Sequence, residues 1–288
     1  MNKSRGLRRS GSFFIFSQTK RALILYLNND MPPTAHRPLI SLFIAEFIGT
    51  ALLLTIGLSV VIFNWGQGSV VARLIPDLQL RRAVTGFLFG CTGCLITLSP
   101  VGKISGAHIN PAVSIAFYLR RKMKLQALIG YLISQMLGAV AGCVPLLLWH
   151  AQGKSVGYGN TIPGVAGLTG AFTGEVLTTA GLIVVIFVFV GSQSLRNYTP
   201  FTMPFLYGFM VWAETIYSGC STNPARSFGP AVISGIYTGY WIYWAGPLTA
   251  VIIVTGIFRL LRLHRYYHIE AARVSYHEHP THRDLKTQ

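Results

Sequence analysis

Acidic side chains are scarce in this 288-residue chain: 8 Asp and Glu stand against 24 Lys and Arg, and charged residues of both signs make up only 11%. So little charge excludes an ordinary soluble globular domain, in which about a quarter of the residues are charged. The resulting balance of +16 invites a nucleic-acid reading. A basic surplus beside long apolar stretches is instead the mark of Lys and Arg retained in cytoplasmic loops, so no nucleic-acid partner is expected. Cysteine is also sparse. Cys91, Cys94, Cys143 and Cys220 lie in or beside apolar segments, which excludes a disulfide framework. Cys91 and Cys94 are spaced as CxxC, but no second pair or nearby His supplies the remaining ligands of a metal site. No Ser/His/Asp, HExxH or thiol/His constellation is present, so neither an enzyme nor a cofactor is expected.

What remains is apolar sequence, 51% of the chain, divided into segments of membrane-spanning length. Candidate spans run from about Leu39 to Trp65, Ala83 to Ser99, Leu125 to Trp149, Ala171 to Val190, Phe201 to Tyr217 and Tyr240 to Leu261. Between them a stretch occurs twice: Ser105-Gly106-Ala107-His108-Ile109-Asn110-Pro111-Ala112, and Cys220-Ser221-Thr222-Asn223-Pro224-Ala225-Arg226. Asn is a strong helix N-cap and Pro is favoured at the first helical position, so each copy reads as a helix start. The first such helix reaches only to Arg120-Arg121-Lys122. At 1.5 Å per residue it is about 15 Å long, roughly half a bilayer core, and should therefore re-enter. The expected architecture is an all-α polytopic membrane protein with six spans and two re-entrant half-helices.

An internal repeat orders these parts. Glu46 opens Glu-Phe-Ile-Gly-Thr-Ala and Glu175 opens Glu-Val-Leu-Thr-Thr-Ala, and each precedes an Asn-Pro-Ala by one further span. Three spans per half invert the second half (about 170–262) relative to the first (about 38–150), so the half-helices enter from opposite faces and their N-termini can meet near the midplane. With both termini cytoplasmic, the inner side holds the seven cations of residues 1–37, Lys103, the cluster Arg120 to Lys124, Arg196 and the cations from Arg259 onward, while Arg73, Arg81, Arg82, Lys154 and Arg226 fall outside. That asymmetry fits the positive-inside rule. Residues 1–37 and 263–288 read as basic cytoplasmic tails, the first suited to lie on anionic lipid. The Gly-rich stretch from Gly153 to Gly170 has the composition of an exposed loop.

At these motifs the sequence resembles the aquaporin (major intrinsic protein) family, over about Pro38 to Arg262. SGAHINPAVS, NPARSFGPAV and AEFIGT stand in the family's order. The resemblance implies a homotetramer in the plasma membrane, each subunit a passive pore for water and small neutral solutes such as glycerol, urea or peroxide. Asn110 and Asn223 would donate amide hydrogens at the pore centre, and Arg226 would belong to an outer selectivity filter. Counting back from each Asn as the family pattern does, the rest of the filter falls on Gly90, Val211 and Cys220, and a one-residue shift puts Phe89 in place of Gly90. Gly90 would make the constriction wide; Phe89 would narrow it. Ser227 directly after Arg226, Ala231 and Tyr243-Trp244 match water-conducting members.

Glu46 and Glu175 match positions that hold loop backbone groups, and His108 should make one local hydrogen bond. Glu214 has no counterpart in the family and reads equally as a pore-mouth or a subunit-contact residue. Lys103 and Thr222 also depart from the pattern, the latter standing where an apolar residue is usual. The alternatives are a glycerol or small-solute facilitator of the same family with little water preference and, behind it, a coupled secondary transporter, which also uses inverted repeats and broken helices. Coupling would need titratable groups beside the substrate at the midplane, and the carboxylates lie away from the Asn-Pro-Ala motifs in sequence.

Overall fold

The computed structural model describes residues 38–261 and 263. The expectations placed on the two tails lie outside the described residues, apart from Leu263. Eight principal helices follow one another: α1 (Leu39–Trp65), α2 (Leu78–Leu98), α3 (Pro111–Leu119), α4 (Leu125–Cys143), α5 (Gly167–Gly191), α6 (Thr199–Ser218), α7 (Pro224–Ser234) and α8 (Ile242–Leu260). No strand is present among the described residues. Segments built on α1, α4, α5 and α8 are long and apolar enough to cross a membrane on length and composition alone. The other two long helices, α2 and α6, carry more polar residues and pack closely on each other.

Local sequence accounts for the helix ends. Asp77 caps α2 by accepting the Leu80 N–H at 2.6 Å, which starts that helix five residues before Ala83 and encloses Arg81 and Arg82. Pro145 lies just past the end of α4, and the chain continues as a 3-10 turn over Val144–Trp149. Gly106 and Gly219 adopt left-handed φ values of 84° and 85°, turning the chain into each of the two loops that lead to an Asn.

The packing follows the repeat. α1 packs on α4 in the first half and α5 on α8 in the second, while α2 meets α6 across the halves. Each half-helix leans on the last span of the opposite half, α7 on α4 and α3 on α8. Close approach depends on glycine. A methyl group at Gly138 or Gly142 of α4 would collide with the Phe47 and Ala51 carbonyls of α1. On α1 the side chains of Leu42, Glu46, Leu53 and Leu54 are buried, whereas Ile40, Ile44, Ile48, Leu52 and Ile56 form an exposed apolar stripe. Such a stripe is a liability in water and ordinary in lipid.

The Gly-rich segment after α4 is not simply exposed. Tyr158, Gly159 and Thr161 are buried, and the Gly159 carbonyl reaches Arg226.

Candidate functional site

The two Asn-Pro-Ala motifs meet in the interior. Asn110 Oδ1 accepts the Ala112 N–H at 2.9 Å, and Asn223 Oδ1 accepts those of Ala225 and Arg226 at 3.0 and 3.3 Å, with Pro111 and Pro224 at the first helical positions. Both carboxamides are thereby fixed in orientation. Each NH2 then reaches across the molecule: Asn110 Nδ2 donates to the Thr222 carbonyl and Asn223 Nδ2 to the Ile109 carbonyl, both at 2.9 Å. An amide nitrogen carries two hydrogens, so one donor on each Asn remains for something else. Both residues line one cavity, and the positive ends of α3 and α7 point there.

The loops leading into the motifs are bent against their intrinsic preference. Ala107, Ile109, Cys220 and Thr222 have φ of 48°, 42°, 54° and 54°, a region that costs a non-glycine residue about 1–3 kcal/mol each. Buried carboxylates hold them. Glu46 accepts the N–H groups of His108 and Ile109 at 3.0 and 2.7 Å and the Gln135 amide at 2.8 Å. Glu175 accepts those of Ser221 and Thr222 at 2.7 and 2.8 Å and the Ser218 hydroxyl at 2.6 Å. Three donors on each carboxylate explain how a charge is accommodated within a span.

Two tyrosines repeat the arrangement: Tyr131 on α4 donates to the Ser105 carbonyl at 2.6 Å, and Tyr243 on α8 to the Ser218 carbonyl at 2.8 Å. Sequence reasoning missed Tyr131, whose signal is only its place in the repeat. His108 Nδ1 lies 3.1 Å from Ser114 Oγ.

Arg226 is buried in the first turn of α7 and donates from Nη1 to the Gly159 carbonyl at 2.7 Å. Cys220 is buried in the loop before Asn223, its N–H bonded to Ser218 Oγ at 3.1 Å.

Gly90, expected beside Arg226, lines the cavity of Asn110 and Asn223 and packs against α6. The side chain it lacks would point at α6, a methyl group coming within 2.5 Å of the Met203 carbonyl oxygen, so this glycine serves the α2–α6 approach. It is Phe89 whose ring lies 5.9 Å from the Arg226 guanidinium. Val211 likewise directs its Cβ at Gly86 of α2, and the α6 residues that line the Asn cavity are Tyr207 and Met203, one and two turns earlier.

Glu214 does not face the molecular surface. It is buried against Gly174 of α5, beside Ser218 and Cys220, and its carboxylate oxygens have no hydrogen bond of normal geometry among the described residues. Nothing in the structure explains why a carboxylate stands there. No group of three or more His, Cys, Asp or Glu that could hold a metal occurs among the described residues.

A six-span bundle with two half-helices whose capped Asn residues face one internal cavity defines a multi-pass membrane channel. The family profile described as "Major intrinsic protein" matches residues 34–258. The chain is 32% identical over 223 residues to "Aquaporin TIP1-1" of Arabidopsis thaliana, a match covering 75% of this chain and 85% of that protein. It is also 32% identical over 228 residues to "Aquaporin-4" of Mus musculus, covering 74% and 65% of the two chains. The fold resembles that in the "X-ray structure of the aquaglyceroporin from Plasmodium falciparum", with a TM-score of 0.64 at 21% identity over 78% of this chain and all of that one. The chain belongs to the major intrinsic protein family, and it is a passive channel for water and small solutes, not an enzyme.

Proposed function

We propose that the chain is a water-selective member of its family, with Asn110 and Asn223 as the central water-binding pair and Phe89, Cys220 and Arg226 at an outer filter. The observation that carries this reading is the amide geometry. Each Asn is pinned by its own helix and by the opposite loop, and one N–H on each remains beside the shared cavity. A water molecule accepting from both would have its own hydrogens turned away from either neighbour, which breaks a proton relay, and the two helix N-termini add a potential that repels cations. Phe89 next to Arg226 favours a narrow filter, and hence water over glycerol or urea. Cations concentrated in the inner loops support cytoplasmic termini, and the apolar stripe on α1 suits lipid or neighbouring copies in a homotetramer.

Stopped-flow swelling of proteoliposomes is the test. Water flux of low activation energy, indifferent to pH and sodium gradients and well above the glycerol flux, is the expected result; gradient-driven accumulation of a solute would sink the reading. Imaging of a C-terminally tagged chain, with protease access from either side, reads the orientation and the membrane of residence, for which the plasma membrane with cytoplasmic termini is the expected outcome.

A further inference from the structure

The cavity of the Asn pair is lined by a residue that the filter does not include, Tyr207. The Tyr207 ring lies 5.8 Å from that of Phe89, with the planes tilted by 45°. Gly57 of α1 makes room for the pair, since a methyl group there would sit 2.7 Å from Phe89 Cε2. The cavity that contains Asn110 and Asn223 is lined by both rings; Val211, Cys220, Thr222 and Arg226 do not border it. Both rings thus border the cavity of the Asn pair, and Phe89 also lies 5.9 Å from the Arg226 guanidinium.

Tyr207 is also held in place. Its hydroxyl lies 3.0 Å from Thr222 Oγ1, and Thr222 Oγ1 donates to the Ser221 carbonyl at 2.7 Å. A threonine hydroxyl has one hydrogen, already committed, so Tyr207 is the donor. The phenol is thus tied to the loop whose Thr222 carbonyl accepts the Asn110 amide. Thr222, a polar residue where the family usually has an apolar one, acquires a role in this tie.

We propose that Tyr207, anchored by Thr222 and packed against the filter residue Phe89, narrows the conduit beside the Asn pair and helps set the size of solute that passes. This rests on the passive-channel reading and adds a residue that no filter position includes. A narrow ring pair admits water in single file and stops a three-carbon polyol, because passage depends on pore diameter at the tightest point.

The experiment measures water and glycerol permeability of full-length protein in proteoliposomes, normalised to inserted protein, for wild type, Tyr207→Ala, Tyr207→Phe and Thr222→Val. Tyr207→Ala is expected to raise the glycerol-to-water ratio by about tenfold, since the ring that narrows the path is gone. Tyr207→Phe and Thr222→Val cut the same bond. Each should raise the ratio to a smaller and similar extent, and the double variant should go no further. A purely structural role would lower both permeabilities together and leave the ratio fixed, so a wild-type ratio in Tyr207→Ala overturns the proposal. Where Tyr207→Ala does not assemble, unchanged ratios in Tyr207→Phe and Thr222→Val overturn it equally. Wild-type liposomes that lack low-activation water flux would instead bring down the channel reading on which it rests.

Discussion

Replacing Glu175 by Gln tests the loop clamp with the smallest possible change of shape. The carboxylate accepts three hydrogen bonds at 2.6 to 2.8 Å, two of them from the consecutive backbone N–H groups of Ser221 and Thr222 on different oxygens. A carboxamide has one oxygen and one NH2, so whichever way it turns, a donor faces a donor. Losing a hydrogen bond to a charged group costs about 1.5–3 kcal/mol and stranding a buried N–H about 1–3 kcal/mol, which together give roughly 4 kcal/mol. The loop is held at positive φ by these bonds, so the loss falls on the segment that carries Cys220, Thr222 and Asn223. Thermal unfolding of the detergent-solubilised protein, followed by tryptophan fluorescence, should show a clearly lowered midpoint. Stopped-flow water permeability per inserted protein should fall as well. Glu46→Gln should behave alike, because the His108 and Ile109 N–H groups meet its two oxygens in the same way. A Glu175→Gln protein that melts and conducts as the wild type would refute the clamp.

Two further outcomes follow from the placement of the filter. Gly90→Ala should destabilise the fold by about 1–3 kcal/mol through overpacking against α6 and leave the glycerol-to-water ratio of the surviving channels unchanged, whereas Phe89→Ala should raise that ratio; the reverse pattern in paired unfolding and flux assays would return Gly90 to the filter. Mercurial treatment should block water flux through Cys220, and the block should vanish in Cys220→Ser but persist in Cys91→Ser and Cys94→Ser, read by the same swelling assay.

Much of the architecture is legible in the chain because the membrane forces it to be. Spans must be apolar for about 20 residues, and a charge inside one must have partners, so Glu46 and Glu175 stand out against their surroundings. The Asn-Pro-Ala pair declares two helix starts through local chemistry that needs no tertiary context. The register of a helix relative to a distant motif is another matter. It depends on how the intervening chain is wound, and spacing alone does not show that of Phe89 and Gly90 it is Phe89 whose ring approaches Arg226.

Glycine carries the same ambiguity. In 153–170 it suggests an exposed loop, yet Gly159 lies buried with its carbonyl on Arg226. Tyr207 gave no signal and Tyr131 only its place in the repeat, since one aromatic more in an apolar helix is ordinary until its hydroxyl is seen to have a partner. The burial of Glu214 was equally hidden, because no spacing rule marks a side chain that turns toward Gly174.

The crossed amides have a consequence for how the molecule is made. Asn110 rests on a carbonyl from the second half and Asn223 on one from the first, so neither half contains a finished water site. The two halves are joined there by a pair of reciprocal stitches related by a pseudo-two-fold axis. A chain leaving the ribosome can insert α1 to α4 and still lack the partners of both stitches, which exist only once Thr222 and Asn223 have been made.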